Sequence, residues 1–313
     1  FPKNHAPVAK VRLAAEEMYK LYMEFDNPTV EMFGKRRSVQ GMAIHGDTAF
    51  VLYHSGVAGA YDLVSRDPKP IGVFKLGSYC KNEEDKRYDN HSNDAMFGAT
   101  MPGEDFPLMY VTAGNSGDAD EKGWLAYCAV KQIRLKDGVY SAETVQRIYY
   151  KPTEKDGTKF EIPGWGWPAS LVDVKNGFFY LHSARFRTKR EMYRPDNEYI
   201  VTKFRLPDPS EGDVTFTADD ILDQFFLPFN AFATQGGTIY EDKLYYSFGF
   251  GREDTPDALN VIDLNEKKYA LCEDLSTAPF FDQEVECVAF YKGKMLINTQ
   301  KQKIYEREAF DFR

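Results

Sequence analysis

Apolar and polar positions alternate in short runs along most of this chain, and the runs come in pairs separated by turn residues. Alternation with period two marks a strand with one buried face. QGMAIHGDTAFVLYHS, from Gln40, therefore reads as a hairpin turning at Gly46-Asp47, with a third run near residues 60–63. QGGTIYEDKLYYSFG, from Gln235, has the same grammar, with Glu241-Asp242 at the turn and a further pair of runs in ALNVIDLNEKKYALC. ECVAFYKGKMLINTQKQKIYER, from Glu286, turns at Lys292-Gly293 and again at Lys301-Gln302. WPASLVDVKNGFFYLHSARF, from Trp167, turns at Asn176-Gly177, the strongest hairpin signal in the chain. SNDAMFGATMPGEDFPLMYVTAGN, from Ser92, has a longer first turn between Pro102 and Pro107.

The five starts, at 40, 92, 167, 235 and 286, lie 52, 75, 68 and 51 residues apart. That spacing fits units of four short strands carrying insertions of unequal size. A β-sandwich explains alternating hairpins, but it gives no reason for one opening phrase to recur. The pattern predicts an all-β protein, a five-bladed β-propeller occupying residues 38–313 as a single domain.

Residues 1–37 precede the first copy and are expected to form a cap or closing segment. Val11, Ala15, Met18 and Tyr22 fall at helical spacing there, which suits an amphipathic helix at least as well as a strand. The segment either caps one face or supplies the outer strand of the fifth blade, a role for which residues 309–313 compete. Thr217 and Asp220 make a capping-box start ahead of Ile221, Leu222, Phe225 and Phe226, so a second short helix is predicted over 217–226.

Composition narrows the function classes. No apolar stretch is long enough to span a bilayer. A net charge of -9 and a pI near 5.2 disfavour phosphate backbones and anionic lipid surfaces. The expected partner is a small polar molecule or a glycan, bound by a monomer, with no nucleic acid and no membrane span. The four cysteines, Cys80, Cys128, Cys272 and Cys287, lack any C-x-x-C spacing and read as buried thiols; Cys272 and Cys287 are the pair nearest to a disulfide arrangement. The chain opens without Met, so a processed leader or an expression boundary is expected at its start, and the expected setting is secreted or periplasmic.

TQGGTIYEDKLYYSFGFG and VQGMAIHGDTAFVLYHSG resemble the repeat of bacterial and plant glutamine cyclotransferases, five-bladed propellers whose blades open with a Gln-Gly pair. The style is also similar to that of teichoic-acid-biosynthesis-like propellers and of secreted proteins of gut bacteria. The resemblance covers the blade grammar over most of residues 38–308 and implies the fold. In the cyclotransferases the second strand of such a blade resembles L-Y-E-S-T-G, and its Glu is the acid/base candidate. Here the stretch is Leu244, Tyr245, Tyr246, Ser247, Phe248, Gly249, with Tyr246 at the carboxylate position. A phenol with an ordinary pKa of about 10 is a poor substitute near neutral pH, which argues against glutaminyl cyclisation.

In a propeller the first strand of each blade lines the central channel, so the starts of the five copies are expected to converge. Gln40, Asn93 or Asp94, Trp167, Gln235 and Glu286 then form one ring, with His91 and Glu284 on the loops leading into it. Amides, carboxylates and an indole suit a polar neutral ligand such as a sugar; the same groups also satisfy strand-start backbone or hold channel water. Trp165 stands beside Trp167 for stacking, and Arg185 opens a basic run, with Arg187, Lys189, Arg190 and Arg194, able to receive a carboxylate or sulfate. The alternative is a carbohydrate-active enzyme, a glycoside hydrolase or lyase, with Asp94 and Glu286 as catalytic acids from separate blades. A purely structural or protein-interaction propeller is the third reading. No cofactor or metal is expected: His5, His45, His54, His91 and His182 are dispersed and no H-E-x-x-H occurs. His91, Ser92 and Asp94 cannot align as a triad on one extended segment, because neighbours point to opposite faces.

Overall fold

A computed structural model describes residues 11–13, 18–54, 56–76, 91–114, 126–150, 168–185 and 194–312. Its strands form five small sheets, and chain order assigns them to five blades. Blade 1 holds Val39–His45, Thr48–Tyr53, Val57–Asp62 and Gly72–Lys75. Blade 2 holds Asp94–Thr100, Pro107–Gly114, Ala126–Lys136 and Val139–Tyr150, and blade 3 holds Ala169–Asp173, Phe178–Ala184, Glu198–Arg205 and Asp223–Pro228. Blade 4 is built from Thr234–Tyr240, Lys243–Phe248, Ala258–Asp263 and Lys268–Asp274. Blade 5 takes Val285–Tyr291, Lys294–Thr299 and Lys303–Glu308 from the C-terminal end and Lys20–Glu24 from the N-terminal end.

The strand Lys20–Glu24 runs antiparallel to Lys303–Glu308, so the two ends of the chain share one sheet and close the ring. Of the two readings left open for Val11 to Tyr22, helix or strand, the structure has strands, Val11–Leu13 and Lys20–Glu24. A free blade edge offers a full row of backbone partners, and an isolated helix of this length is marginal in water. The expected helix at 217–226 shrinks to a single 3-10 turn, Ala218–Asp220. Its capping box is present, with the Thr217 amide donating to Asp220 Oδ2 at 2.7 Å. The chain then turns extended at Ile221, and Asp223–Pro228 pairs with Glu198–Arg205 as the outer strand of blade 3. Two parallel additions, Val11–Leu13 on blade 4 and Val214–Phe216 on blade 2, cover two further edges.

The predicted hairpins turn where expected. Glu241 and Asp242 both have positive φ, as do Lys292 and Gly293, the geometry that matches the twist of a two-residue connection. The recurring opening phrase has a physical basis in register. Pairing between first and second strands slips after Val39 in blade 1, after Thr234 in blade 4 and after Val285 in blade 5, at Gln40-Gly41, Gln235-Gly236 and Glu286. These are β-bulges at the inner edge of each sheet, where a bulge bends the strand and redirects its side chains.

Each inner strand lies against the next around the ring, and that of blade 5 lies against that of blade 1. The apolar core is divided among the inter-blade spaces, one cluster joining blades 1 and 2 around Phe50 and another joining blades 4 and 5 around Tyr245. Aromatic rings fill these wedges, with Tyr240 stacked on Phe290 at 3.9 Å and Phe204 on Phe216 at 4.3 Å. That use explains the aromatic fraction of 15%.

Candidate functional site

All five inner strands start on the same face, which is the mouth of the axis. Just inside it the ring is closed by its own backbone. Asp94 is fully buried, and its Oδ1 accepts the amide of Gly237 at 3.0 Å, reaching from blade 2 to blade 4. Cys287 Sγ lies 3.8 Å from the same oxygen and 3.6 Å from the Met42 carbonyl oxygen. A Cβ on Gly41 would sit 3.0 Å from the Ser92 carbonyl oxygen, and one on Gly236 2.8 Å from that of Glu286. The glycine of the Gln-Gly phrase is therefore required by close approach at the axis. Burial pushes the Asp94 carboxyl up to about 7, partly offset by the Gly237 and Ala95 amides and the Cys287 thiol.

The amides Gln40 and Asn93 are buried beside this plug, and Gln40 presents its carbonyl to Asn298 Nδ2 at 3.0 Å. His91 packs edge-on against His54 with ring centroids 5.1 Å apart, and burial followed by the charge of His54 depresses it to about 3. A histidine so depressed is neutral throughout the physiological range. Arg185 is held away from the axis, paired with Glu198 at 2.8 Å and standing over the Phe226 ring. Arg194 pairs with Asp196 at 2.8 Å. Trp165, Trp167, Arg187, Lys189, Arg190 and Cys80 lie outside the described residues.

Three of the expected residues do meet, at the junction of blades 4 and 5. Gln235 Nε2 donates to Glu284 Oε1 at 2.7 Å and to the Gly249 carbonyl at 2.6 Å. Glu286 is 1% exposed, and its Oε1 has no hydrogen-bond partner. Sequence reasoning missed a third carboxyl, Asp257, at the end of the loop between the second and third strands of blade 4. Asp257 accepts the Gly251 amide at 2.9 Å through Oδ1, while its Oδ2 is left without a partner. The signal was present in FGFGREDTPD: Gly249 and Gly251 have φ of 112° and 64°, and a Cβ on either would collide, with Asp257 or with the Gln283 backbone.

Burial pushes all three carboxyls up. Asp257 rises to about 8, with Glu284 and Asp274 adding repulsion against the Gly251 and Val285 amides. Glu286 is raised well above the usual range by burial and then by Glu284 and Asp257. Glu284 is raised by burial, while Gln235 and Arg252 pull it back. Beside this cluster opens a cleft of about 780 Å³, whose lining includes Arg252, Asp257, Phe280, Phe281 and Asp282. Phe281 is 75% exposed, which is unusual for a phenylalanine next to a pocket. Tyr246, at the position the cyclotransferases fill with Glu, is buried and donates its hydroxyl to the Gln235 carbonyl at 2.8 Å.

No group of metal-ligating side chains able to hold an ion occurs among the described residues. No helix among them is long and apolar enough to cross a membrane. No protein-family model matches the chain, and no curated protein matches it. Among solved structures it is similar to the glutaminyl cyclase of Myxococcus xanthus, at 12% identity and a TM-score of 0.48, covering 92% of this chain and 94% of that one. It is also similar to the tail fiber of Staphylococcus aureus phage P68, at 10% identity and a TM-score of 0.46, covering 94% of this chain and 53% of that one.

Proposed function

We propose that this propeller binds a small polar ligand of the sugar class at the mouth of its axis, in the cleft between blades 4 and 5. The observation that carries the reading is the Gln235–Glu284 hydrogen bond, which sets an amide and a half-buried carboxylate from neighbouring blades beside that cleft. The exposed ring of Phe281 offers a face for the C–H side of a sugar, and the carboxyls and Arg252 offer partners for hydroxyls. In this reading Asp94 holds the ring together and takes no part in binding, because no ligand atom reaches it without displacing backbone.

A carbohydrate-active enzyme is the second reading, favoured by the Asp257 carboxyl, which burial pushes up to about 8, beside Glu284 and Glu286, which burial also raises. It keeps Glu286 from the expected acid pair and replaces Asp94 with Asp257. The setting stays outside the cytoplasm in both readings, and cell fractionation tests it.

Saturation-transfer NMR against a panel of mono- and oligosaccharides tests the binding site. At least one sugar is expected to bind, and both Phe281→Ala and Glu284→Gln to weaken it at least tenfold. A panel with no hit, or hits indifferent to both substitutions, overturns the proposal and leaves a protein-interaction role for the outer faces.

A further inference from the structure

The acid cluster at the cleft lacks something specific. Asp257 lines the cleft, is 1% exposed and has an Oδ2 without a hydrogen-bond partner. Glu286, coupled to it by charge, is equally buried and has an orphan Oε1. Buried acceptors without donors are expensive. Among the described residues, the surrounding cations do not fill the gap. Arg252 is exposed and acts on Glu284, and Lys301 is engaged with Asp282 at 2.9 Å. Facing the cluster are further carboxylates, Glu253 and Asp282 on the cleft wall and Asp274 from the outer strand of blade 4.

We infer that the cleft selects a ligand carrying a protonated amine, so that within the sugar class proposed above an amino sugar binds in preference to its neutral counterparts. An ammonium brings three N–H donors and one positive charge, which answer the orphan Oδ2 of Asp257 and the carboxylates of the cleft wall at once. Phe281, 75% exposed on the cleft wall, adds a ring face that favours a cation. A neutral sugar offers hydroxyl donors but no charge that favours the ionised forms of these carboxyls. A cation binding there also favours the ionised carboxyls, so binding releases protons to the solvent.

Titration calorimetry with glucosamine, glucose, N-acetylglucosamine and n-propylamine, each in two buffers of different ionisation enthalpy, tests the inference. Glucosamine is expected to bind at least tenfold more tightly than glucose and N-acetylglucosamine, with net proton release, and to lose at least tenfold in Asp257→Asn. That variant keeps the oxygen that accepts the Gly251 amide, and Glu286→Gln serves as the second variant. Equal affinity for glucosamine and glucose overturns the amine selectivity while leaving sugar binding in place. Binding of n-propylamine alone, sensitive to Asp257→Asn, supports the amine site and removes the sugar class. Failure of all four probes overturns both.

Discussion

Asp94 Oδ1 accepts the backbone amide of Gly237 at 3.0 Å, tying the inner strands of blades 2 and 4, which are not neighbours in the ring. A cross-axis bond of this kind forms only if inner strands approach within backbone contact distance, and Gly41 and Gly236 make that approach possible. The chain therefore uses the Gln-Gly phrase to close its axis.

Gly236→Ala tests that closure. The added methyl would lie 2.8 Å from the Glu286 carbonyl oxygen, 2.9 Å from Cys287 Sγ and 3.0 Å from the Asn93 carbonyl oxygen. Backbone from two other blades must move, at a cost of about 1–3 kcal/mol, as in other overpacked interiors. Urea denaturation is expected to show a lower midpoint with an unchanged slope. A midpoint equal to that of the parent protein would mean the axis is looser than the geometry implies.

Stability should fall from mildly acidic to mildly alkaline pH. Burial holds Asp94 at about 7 and Asp257 at about 8, and raises Glu284 and Glu286. In the unfolded chain these carboxyls return to values of about 4. Their folded values lie above the unfolded ones, so the native state binds protons more tightly. The stabilisation is complete below about pH 4 and is lost as pH rises through the folded values, with a slope of up to about 1.4 kcal/mol per pH unit for each group. The carboxylates Asp47, Asp62, Asp208 and Glu211 have depressed values, so their contribution has the opposite sign and is lost on the acid side. Urea midpoints are expected to peak in mild acid, and Asp94→Asn to flatten the decline between pH 5 and 8. Parallel curves for the two proteins would remove Asp94 from the account.

The ring closure rests on a buried ion pair. Arg307 Nη1 donates to both oxygens of Glu273, at 3.1 and 3.2 Å, and Glu273 is fully buried. The Tyr19 hydroxyl donates to the same carboxylate, and the Arg307 guanidinium stands 3.8 Å over Phe310. Blade 4, blade 5 and the segment leading into the N-terminal strand thus meet at one charge. Arg307→Ala takes the guanidinium away from a fully buried carboxylate, and about 3–5 kcal/mol of stability is expected to go. Glu273→Gln added to Arg307→Ala should recover a large part of the loss, because the buried charge that Arg307 offset is gone. If the double variant is no more stable than Arg307→Ala, the pair is not the closing clip.

The blades were legible because each is a local object: alternation, a turn and a repeated phrase all fall within about 50 residues. The closing strand was harder to read. The N-terminal segment was read as either a cap or that strand, and its local pattern could not decide, because Tyr22 and Met23 bury against blade 5, a partner almost 300 residues away in sequence. The parallel strands Val11–Leu13 and Val214–Phe216 escaped for the same reason. At the site, convergence of Gln235, Glu284 and Glu286 followed from the repeat. Asp257 did not, because it sits at the start of a third strand, where the repeat gives no reason to look. The depth of Asp94 was also hidden, since it depends on how closely glycines on other blades let the backbone approach.

The thiols give a last measurable consequence. Cys128, Cys272 and Cys287 are free and buried, so the Cys272–Cys287 disulfide considered from the sequence does not form. Cys272 Sγ instead takes the Asn230 side-chain amide at 3.1 Å, and Cys287 points to the axis beside Asp94. Burial pushes the Cys272 thiol up to about 12 and raises Cys128 and Cys287 as well. The thiolate is the reactive species, and at pH 8 almost none is present on these residues while the protein is folded. In a Cys80→Ser background, Ellman's reagent is expected to find no fast-reacting thiol in the native protein and three in urea. Stoichiometric labelling of native protein within the mixing time would show that at least one of the three reaches solvent, contradicting the closed axis or the packed blade interfaces.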